Sequence, residues 1–147
     1  MRYSRSDIIA ASPGDVWAIL TDIEHWPDWT ASMREITRLD SGPLQVGSTM
    51  RVQQPAGPPM VFTITELTNE RSFTWTASAA GIRSTGYHEL TPTDSGVQAV
   101  LTFTLTGPMA WLGRLLAAGR IRGYVDMEAD GLKRASEERA ESAPSEG

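Results

Sequence analysis

His88 is the residue of this chain best suited to chemistry. It lies in Arg83-Ser-Thr-Gly-Tyr-His88-Glu-Leu90-Thr91, a stretch of strand composition, and alternation puts it on the same side as Gly86 and Leu90. An imidazole on the apolar side of a sheet is a polar handle for a bound molecule, or an acid/base near neutral pH. The competing reading is a histidine satisfied by a neighbouring side chain, and no carboxylate at fixed spacing is present to orient it. Large flat side chains occur around it in sequence: Phe62, Phe73, Trp75 and Phe103 in strand-like segments, and Tyr124 further on. Such a set either fills a core or frames a space. The hydroxyl of Tyr124 can serve a ligand or cap a strand end. Trp26 and Trp29 flank Pro27. They are read either as a lid at a cavity mouth or as a plug at the end of the sheet. Trp29 is the better cavity candidate because it leads directly into the next strand. Glu66 shares parity with Phe62 and Ile64 and is read either as a cavity carboxylate or, in preference, as lying beyond the buried part of its strand, whereas Arg51 and Arg83 point outward.

Other chemistries lack their residues. The only histidines are His25 and His88, there is no cysteine, and no His-Glu-x-x-His occurs, so no metal site is expected. Nucleophile-elbow, phosphate-loop and dinucleotide glycine motifs are missing, and no cofactor is expected. The formal charge of −5 argues against nucleic acid as a partner. Twelve of the thirteen basic residues are arginine, and they are scattered. No segment approaches the ~18 apolar residues of a membrane span, and Ile8–Ala11 is too short for a secretory core. A soluble, cytoplasmic protein without stable membrane insertion is the expectation.

The elements that must hold His88 and the rings can be taken in order. Met1 to Ala11 reads as a strand. Ser12-Pro13-Gly14-Asp15 is a helix start, with a serine N-cap, proline in the first turn and an acid near the positive end of the dipole. Val16, Trp17, Ile19, Leu20 and Ile23 give a short amphipathic helix, and Pro27 sets off a second, shorter helical turn or a bent loop. Six strands follow, at Met33–Leu39, Thr49–Gln54, Met60–Leu67, Ser72–Ala79, Arg83–Thr91 and Gln98–Thr106, separated by Gly, Pro, Asn and Asp clusters. Short connections make this an antiparallel meander. Met50 with Val52, Phe62 with Ile64, Phe73 with Trp75, and Leu101 with Phe103 and Leu105 share the apolar face, and threonines occupy the other.

Pro108 to Glu138 is the one run long enough for a long helix. At ~100° per residue, Trp111, Leu112, Leu115 and Leu116 point one way and Tyr124, Val125, Met127 and Leu132 nearly the opposite way. A kink or break is therefore expected between Gly119 and Gly123. Leu112, Leu116 and Tyr124 are the helix residues expected at a ligand. Residues 1–138 form one domain, and the polar residues 139–147 are expected to be a disordered tail.

The Ser12-Pro13-Gly14-Asp15-Val16-Trp17 opening, Trp26-Pro27-Asp28-Trp29, and Glu89-Leu90-Thr91-Pro92 ahead of Gly96 resemble the polyketide cyclase/dehydrase and lipid-transport family of the Bet v 1-like, START-related superfamily. The resemblance implies an α+β helix-grip fold. In that fold a strongly bent antiparallel sheet of about seven strands wraps a long C-terminal helix, two short helices follow the first strand, and an apolar cavity lies between sheet and helix. It implies a small hydrophobic ligand, such as a lipid, polyketide or sterol-like compound. Its alternatives are an aromatase/cyclase- or dehydratase-like enzyme with His88 as the candidate acid/base, and an interaction module with an apolar groove. The expected ligand contacts are Trp29, Met50, Phe62, Ile64, Phe73, Trp75, His88, Leu101, Phe103, Leu112, Leu116 and Tyr124.

Overall fold

The structure, a computed structural model, describes residues 1–142. Strand β1 (Arg2–Ile9) leads into helix α1 (Pro13–Thr21) and a 3₁₀ turn (Ile23–Asp28). Then come β2 (Glu35–Arg38), β3 (Thr49–Gln53), β4 (Met60–Thr68), β5 (Ser72–Ala79), β6 (Ile82–Thr93), β7 (Gly96–Thr106) and helix α2 (Ala110–Ser142). The class is α+β. All seven strands form one antiparallel sheet in the order β1-β7-β6-β5-β4-β3-β2. The meander from β2 to β7 is as expected, and β1 pairs onto β7 with Tyr3 opposite Phe103 and Arg5 opposite Leu101. The second strand begins at Glu35 rather than Met33, which stays buried in the preceding loop.

Local chemistry accounts for the chain's first turns. The Ser12 hydroxyl accepts the Asp15 N–H at 3.1 Å, and Pro13 occupies the first helical turn. The 3₁₀ turn drives Trp26 into the centre of the molecule, where it is fully buried and its indole N–H donates to the Leu20 carbonyl at 3.0 Å. Its ring lies 5.1 Å from Trp75 and 5.2 Å from Trp29. A β-bulge between Ile64 and Glu66 resets the parity of β4. Leu67 then faces Phe73 on the inner side, while Glu66 sits opposite Thr74 on the outer side and accepts the hydroxyls of Thr68 at 2.8 Å and Ser72 at 3.0 Å.

Helix α2 departs from expectation in three ways. It is continuous through Gly119 and Gly123, with no break. The apolar stripe does change sides there, but most of its first part stays in solvent: Trp111, Leu115 and Leu116 are 62%, 73% and 73% exposed. A helix that buries one face need not bend to bury the other. The buried face is Val125, Ala129 and Leu132, at steps of four and three, and Met127 stands outside it at 44% exposed. The glycines also act elsewhere than expected. A Cβ at Gly119 or Gly123 would meet nothing within 4 Å, whereas at Gly131 it would run into the Trp29 carbonyl oxygen. Finally, the helix extends past Glu138 to Ser142, and Arg139 Nε reaches Asp15 Oδ1 at 3.2 Å, so the expected tail does not begin at 139. Its remainder, residues 143–147, lies outside the described residues. No helix among the described residues is long and apolar enough to cross a membrane.

Candidate ligand cavity

His88 sits on β6 with Phe73 of β5 and Leu101 of β7 as its cross-strand partners, and it is 4% exposed. Its ring stacks on Phe73 at 4.1 Å and 18°, with Trp26 and Trp75 edge-on at 5.5 and 5.7 Å. Its Nδ1 lies 3.2 Å from the Phe73 carbonyl oxygen. A carbonyl only accepts, so Nδ1 carries a proton and the second nitrogen, Nε2, is left to the interior. Nε2 points toward Glu128 Oε1, 3.9 Å away across the gap between β6 and α2. That is too long for a direct hydrogen bond, but an oxygen placed between the two atoms can lie ~2.8 Å from each.

The two groups border a cavity of about 60 Å³. Its α2 wall is Ile121, Tyr124, Val125 and Glu128, and its sheet wall includes Phe62, Trp75, Gly86, Leu101 and Phe103, with Met33, Met60 and Gln54 at one side. Gly86 makes the sheet wall possible. A Cβ there would stand 2.5 Å from Trp75 Nε1, so the bare backbone lets the indole lie against β6. The lining is mostly apolar, with Gln54, Ser84, Tyr87, Thr102 and Tyr124 as its other polar side chains. His88 and Glu128 face each other across it, a combination suited to holding and orienting one polar group of a ligand.

The expected contacts divide in two. Phe62, Trp75, His88, Leu101, Phe103 and Tyr124 come together around the cavity. Met50, Ile64 and Phe73 are buried in the core and do not border it. Trp29 packs beneath α2, where its carbonyl accepts Arg134 Nη2 at 3.0 Å and its ring adjoins Gly131. Leu112 is half-buried away from the space, and Leu116 is in solvent. Glu128 was not anticipated, nor were Ile121 and Val125, although a legible signal existed. Following the helix from Tyr124 by four residues reaches Glu128, and the same face holds Ile121 and Val125. Among the described residues no cluster suited to a metal ion occurs.

Polar ties fix only the second half of α2. The Tyr3 hydroxyl donates to Asp126 at 2.8 Å, Arg5 reaches Asp126 at 3.1 Å and Asp130 at 2.9 Å, and Glu137 accepts the Ala10 N–H at 2.9 Å. Lys133 donates to the Ile8 carbonyl. The Tyr3 and Arg5 bonds hold the Asp126 carboxyl below the usual carboxylate range, and the same bond to Asp126 raises the Tyr3 phenol. Glu137 is lowered by the Ala10 N–H and by Lys133. Residues 110–125 contribute no side-chain hydrogen bond or ion pair among the described residues.

Residues 1–137 match the family described as polyketide cyclase / dehydrase and lipid transport. The chain belongs to this family. A hypothetical protein of Helicobacter pylori, jhp0584, superposes with a TM-score of 0.79 at 14% identity, covering 92% of this chain and 88% of its own. Ara h 8.0201 superposes at 0.69 and 13%, covering 97% and 98%. The di-domain ARO/CYC BexL of the BE-7585A biosynthetic pathway superposes at 0.71 and 13%, covering 98% of this chain and 51% of that protein, so this chain spans about half of it. These likenesses establish the Bet v 1-like helix-grip fold. No curated protein matches the chain in sequence.

Proposed function

We propose that this protein binds a small, largely apolar molecule between its sheet and α2, with a hydroxyl or enol of that molecule set between His88 and Glu128. The observation that carries this reading is that these two groups face each other, 3.9 Å apart, across a cavity whose walls are mostly apolar. With Nδ1–H given to the Phe73 carbonyl, a ligand hydroxyl set between Nε2 and Glu128 lies within hydrogen-bond reach of both. The rest of the ligand leaves water against Trp75, Phe62, Leu101 and Phe103 at roughly 25 cal/mol per Å². The resting cavity, about 60 Å³, is below the ~150 Å³ that takes benzene in a comparable apolar site. A ligand of lipid or polyketide size therefore enters by widening it. Met33 and Met60 repack easily, and the untied first half of α2 is the wall that can lift. A cytoplasmic carrier without nucleic-acid contacts fits the acidic net charge of −5.

The same pair favours a second reading, an enzyme of the cyclase or dehydratase kind. A histidine oriented by a carbonyl at Nδ1, with a carboxylate at Nε2, can move a proton on a bound enol or hydroxyl. The experiment is a titration with 2-naphthol, a bicyclic apolar molecule with one hydroxyl, followed by mass spectrometry of ligands extracted from the protein. Saturable binding that weakens within about tenfold, or ~1.4 kcal/mol, in His88→Ala supports the carrier, with ligand released unchanged. An altered ligand whose alteration stops in His88→Ala or Glu128→Gln while binding persists supports the enzyme. No saturable binding defeats both.

A further inference from the structure

One end of the molecule is apolar and basic at once, in a protein that is otherwise acidic. Trp111, Leu115 and Leu116 of α2 are the most exposed large hydrophobic side chains of the described residues. Arg114, Arg120 and Arg122 stand exposed among them, and the structure gives none of the three an ion-pair partner among the described residues. Just ahead of α2 the chain meets the β5–β6 turn, where the Met109 N–H donates to the Gly81 carbonyl at 3.0 Å. That turn adds exposed Ala79, Ala80 and Arg83 to the same end. No Asp or Glu occurs in residues 71–88 or 95–125, while the whole chain has a net charge of −5. The acidic excess lies elsewhere, and this end is left positive.

We infer that this end of the protein docks on an anionic lipid surface, with Trp111, Leu115 and Leu116 entering the headgroup–acyl boundary and Arg114, Arg120 and Arg122 against the phosphates. Exposed tryptophan and leucine interleaved with arginine is the composition of an interfacial helix. Arginine in place of lysine gives bidentate contact with phosphate. The charge pattern selects this occupant over an apolar protein groove, which would not call for unopposed cations. The docked segment is the part of α2 that makes no side-chain hydrogen bond or ion pair among the described residues, and it runs directly into Ile121 and Tyr124 of the cavity wall. Docking thus brings the cavity to the bilayer without a membrane span. The inference stands on the exposed surface and does not require the ligand reading.

The test is co-sedimentation of the full chain with vesicles of phosphatidylcholine, alone or mixed with phosphatidylglycerol, at low and high salt. Binding is expected to the mixed vesicles, to fall with salt, and to shift the emission of Trp111, the tryptophan that stands in solvent, to the blue. Each arginine is worth about fivefold at an anionic surface. The Arg114→Ala/Arg120→Ala/Arg122→Ala variant should therefore lose about a hundredfold, and Leu115→Glu/Leu116→Glu should lose binding altogether. All five side chains are exposed, so both variants should melt with the wild type. Should the glutamate variant unfold, the arginine variant decides the matter alone. Equal binding to neutral and mixed vesicles, or wild-type binding by the arginine variant, overturns the inference. So does a dimer by sedimentation velocity that Leu115→Glu/Leu116→Glu dissociates while vesicles are ignored, which would make a second copy the occupant.

Discussion

Alanine in place of glycine should change the stability of this protein in opposite directions within one helix. At Gly119 and Gly123 an added Cβ meets nothing within 4 Å, so only the helix preference remains, and each substitution gains ~1 kcal/mol. At Gly131 the Cβ is driven into the Trp29 carbonyl oxygen and lies 3.0 Å from Trp29 Cε3. A backbone oxygen cannot rotate away, so the overpacking cost falls in the upper part of ~1–3 kcal/mol. After the same helix gain, Gly131→Ala is left destabilised by about 1–2 kcal/mol. At about 3 °C per kcal/mol for a domain of this size, Gly131→Ala should melt roughly 3–6 °C lower and Gly119→Ala roughly 3 °C higher. Circular dichroism melts of the single variants at one pH read this directly. The Gly119→Ala/Gly123→Ala pair should also take up ligand more slowly in stopped flow, because it stiffens the half of α2 that has to lift. Gly131→Ala melting at or above the wild type would refute the packing argument, and a loss of stability in Gly119→Ala would refute the claim of open space there.

Acid and alkali should each loosen the grip of α2 on β1. Asp126 and Glu137 have lowered folded values, so their stabilisation is complete above the ordinary carboxylate range near ~4 and is lost as pH falls through those lower values. Tyr3 is raised, so its share is complete below ~10 and lost as pH rises through the folded value. Between these limits only a small loss is expected, as pH rises through the raised value of His25, whose bond to Asp22 favours its charged form, and Asp126→Asn should weaken both outer limbs of the profile. Trp26→Ala removes a fully buried ring and its bond to the Leu20 carbonyl, and should cost about 3–5 kcal/mol in urea unfolding. Trp75→Ala should cost a similar amount, yet it opens the cavity wall. Saturating 2-naphthol should therefore raise its melting temperature by more than it raises that of the wild type.

Alternation along the strands was enough to read most of the sheet, because a residue of one parity in a half-buried strand has one side to go to. His88 and the four rings Phe62, Phe73, Trp75 and Phe103 were placed on the inner face by that rule alone. The rule fails where the backbone breaks it. The bulge at Ile64/Glu66 turns Glu66 outward, and nothing in the residue types at that point announces an extra residue. Depth is less legible than direction: Met50 and Phe73 share a face with Trp75 but border core, since parity does not say where along a strand a space lies. In α2 the periodicity was visible and its use was not. Leu112, Leu115 and Leu116 make as good an apolar stripe as Ile121, Val125 and Leu132, and only the position of the helix over β1 and β7 decides which is buried. Glu128 escaped notice for a related reason. A carboxylate on a helix is ordinarily solvated, and its partner His88 is forty residues away in the chain.

The central claim is that a ligand's polar group comes to rest between His88 Nε2 and Glu128. The most direct measurement is the ¹⁵N spectrum of the histidine side chains during titration with 2-naphthol. The chain has two histidines, and His25 is exposed and paired with Asp22, so it serves as the internal control. The account predicts a saturable shift at Nε2 of His88, an Nδ1 that stays protonated toward the Phe73 carbonyl, no change at His25, and loss of the shift in Glu128→Gln. Saturable binding that leaves both histidines unmoved would place the ligand elsewhere and contradict the claim.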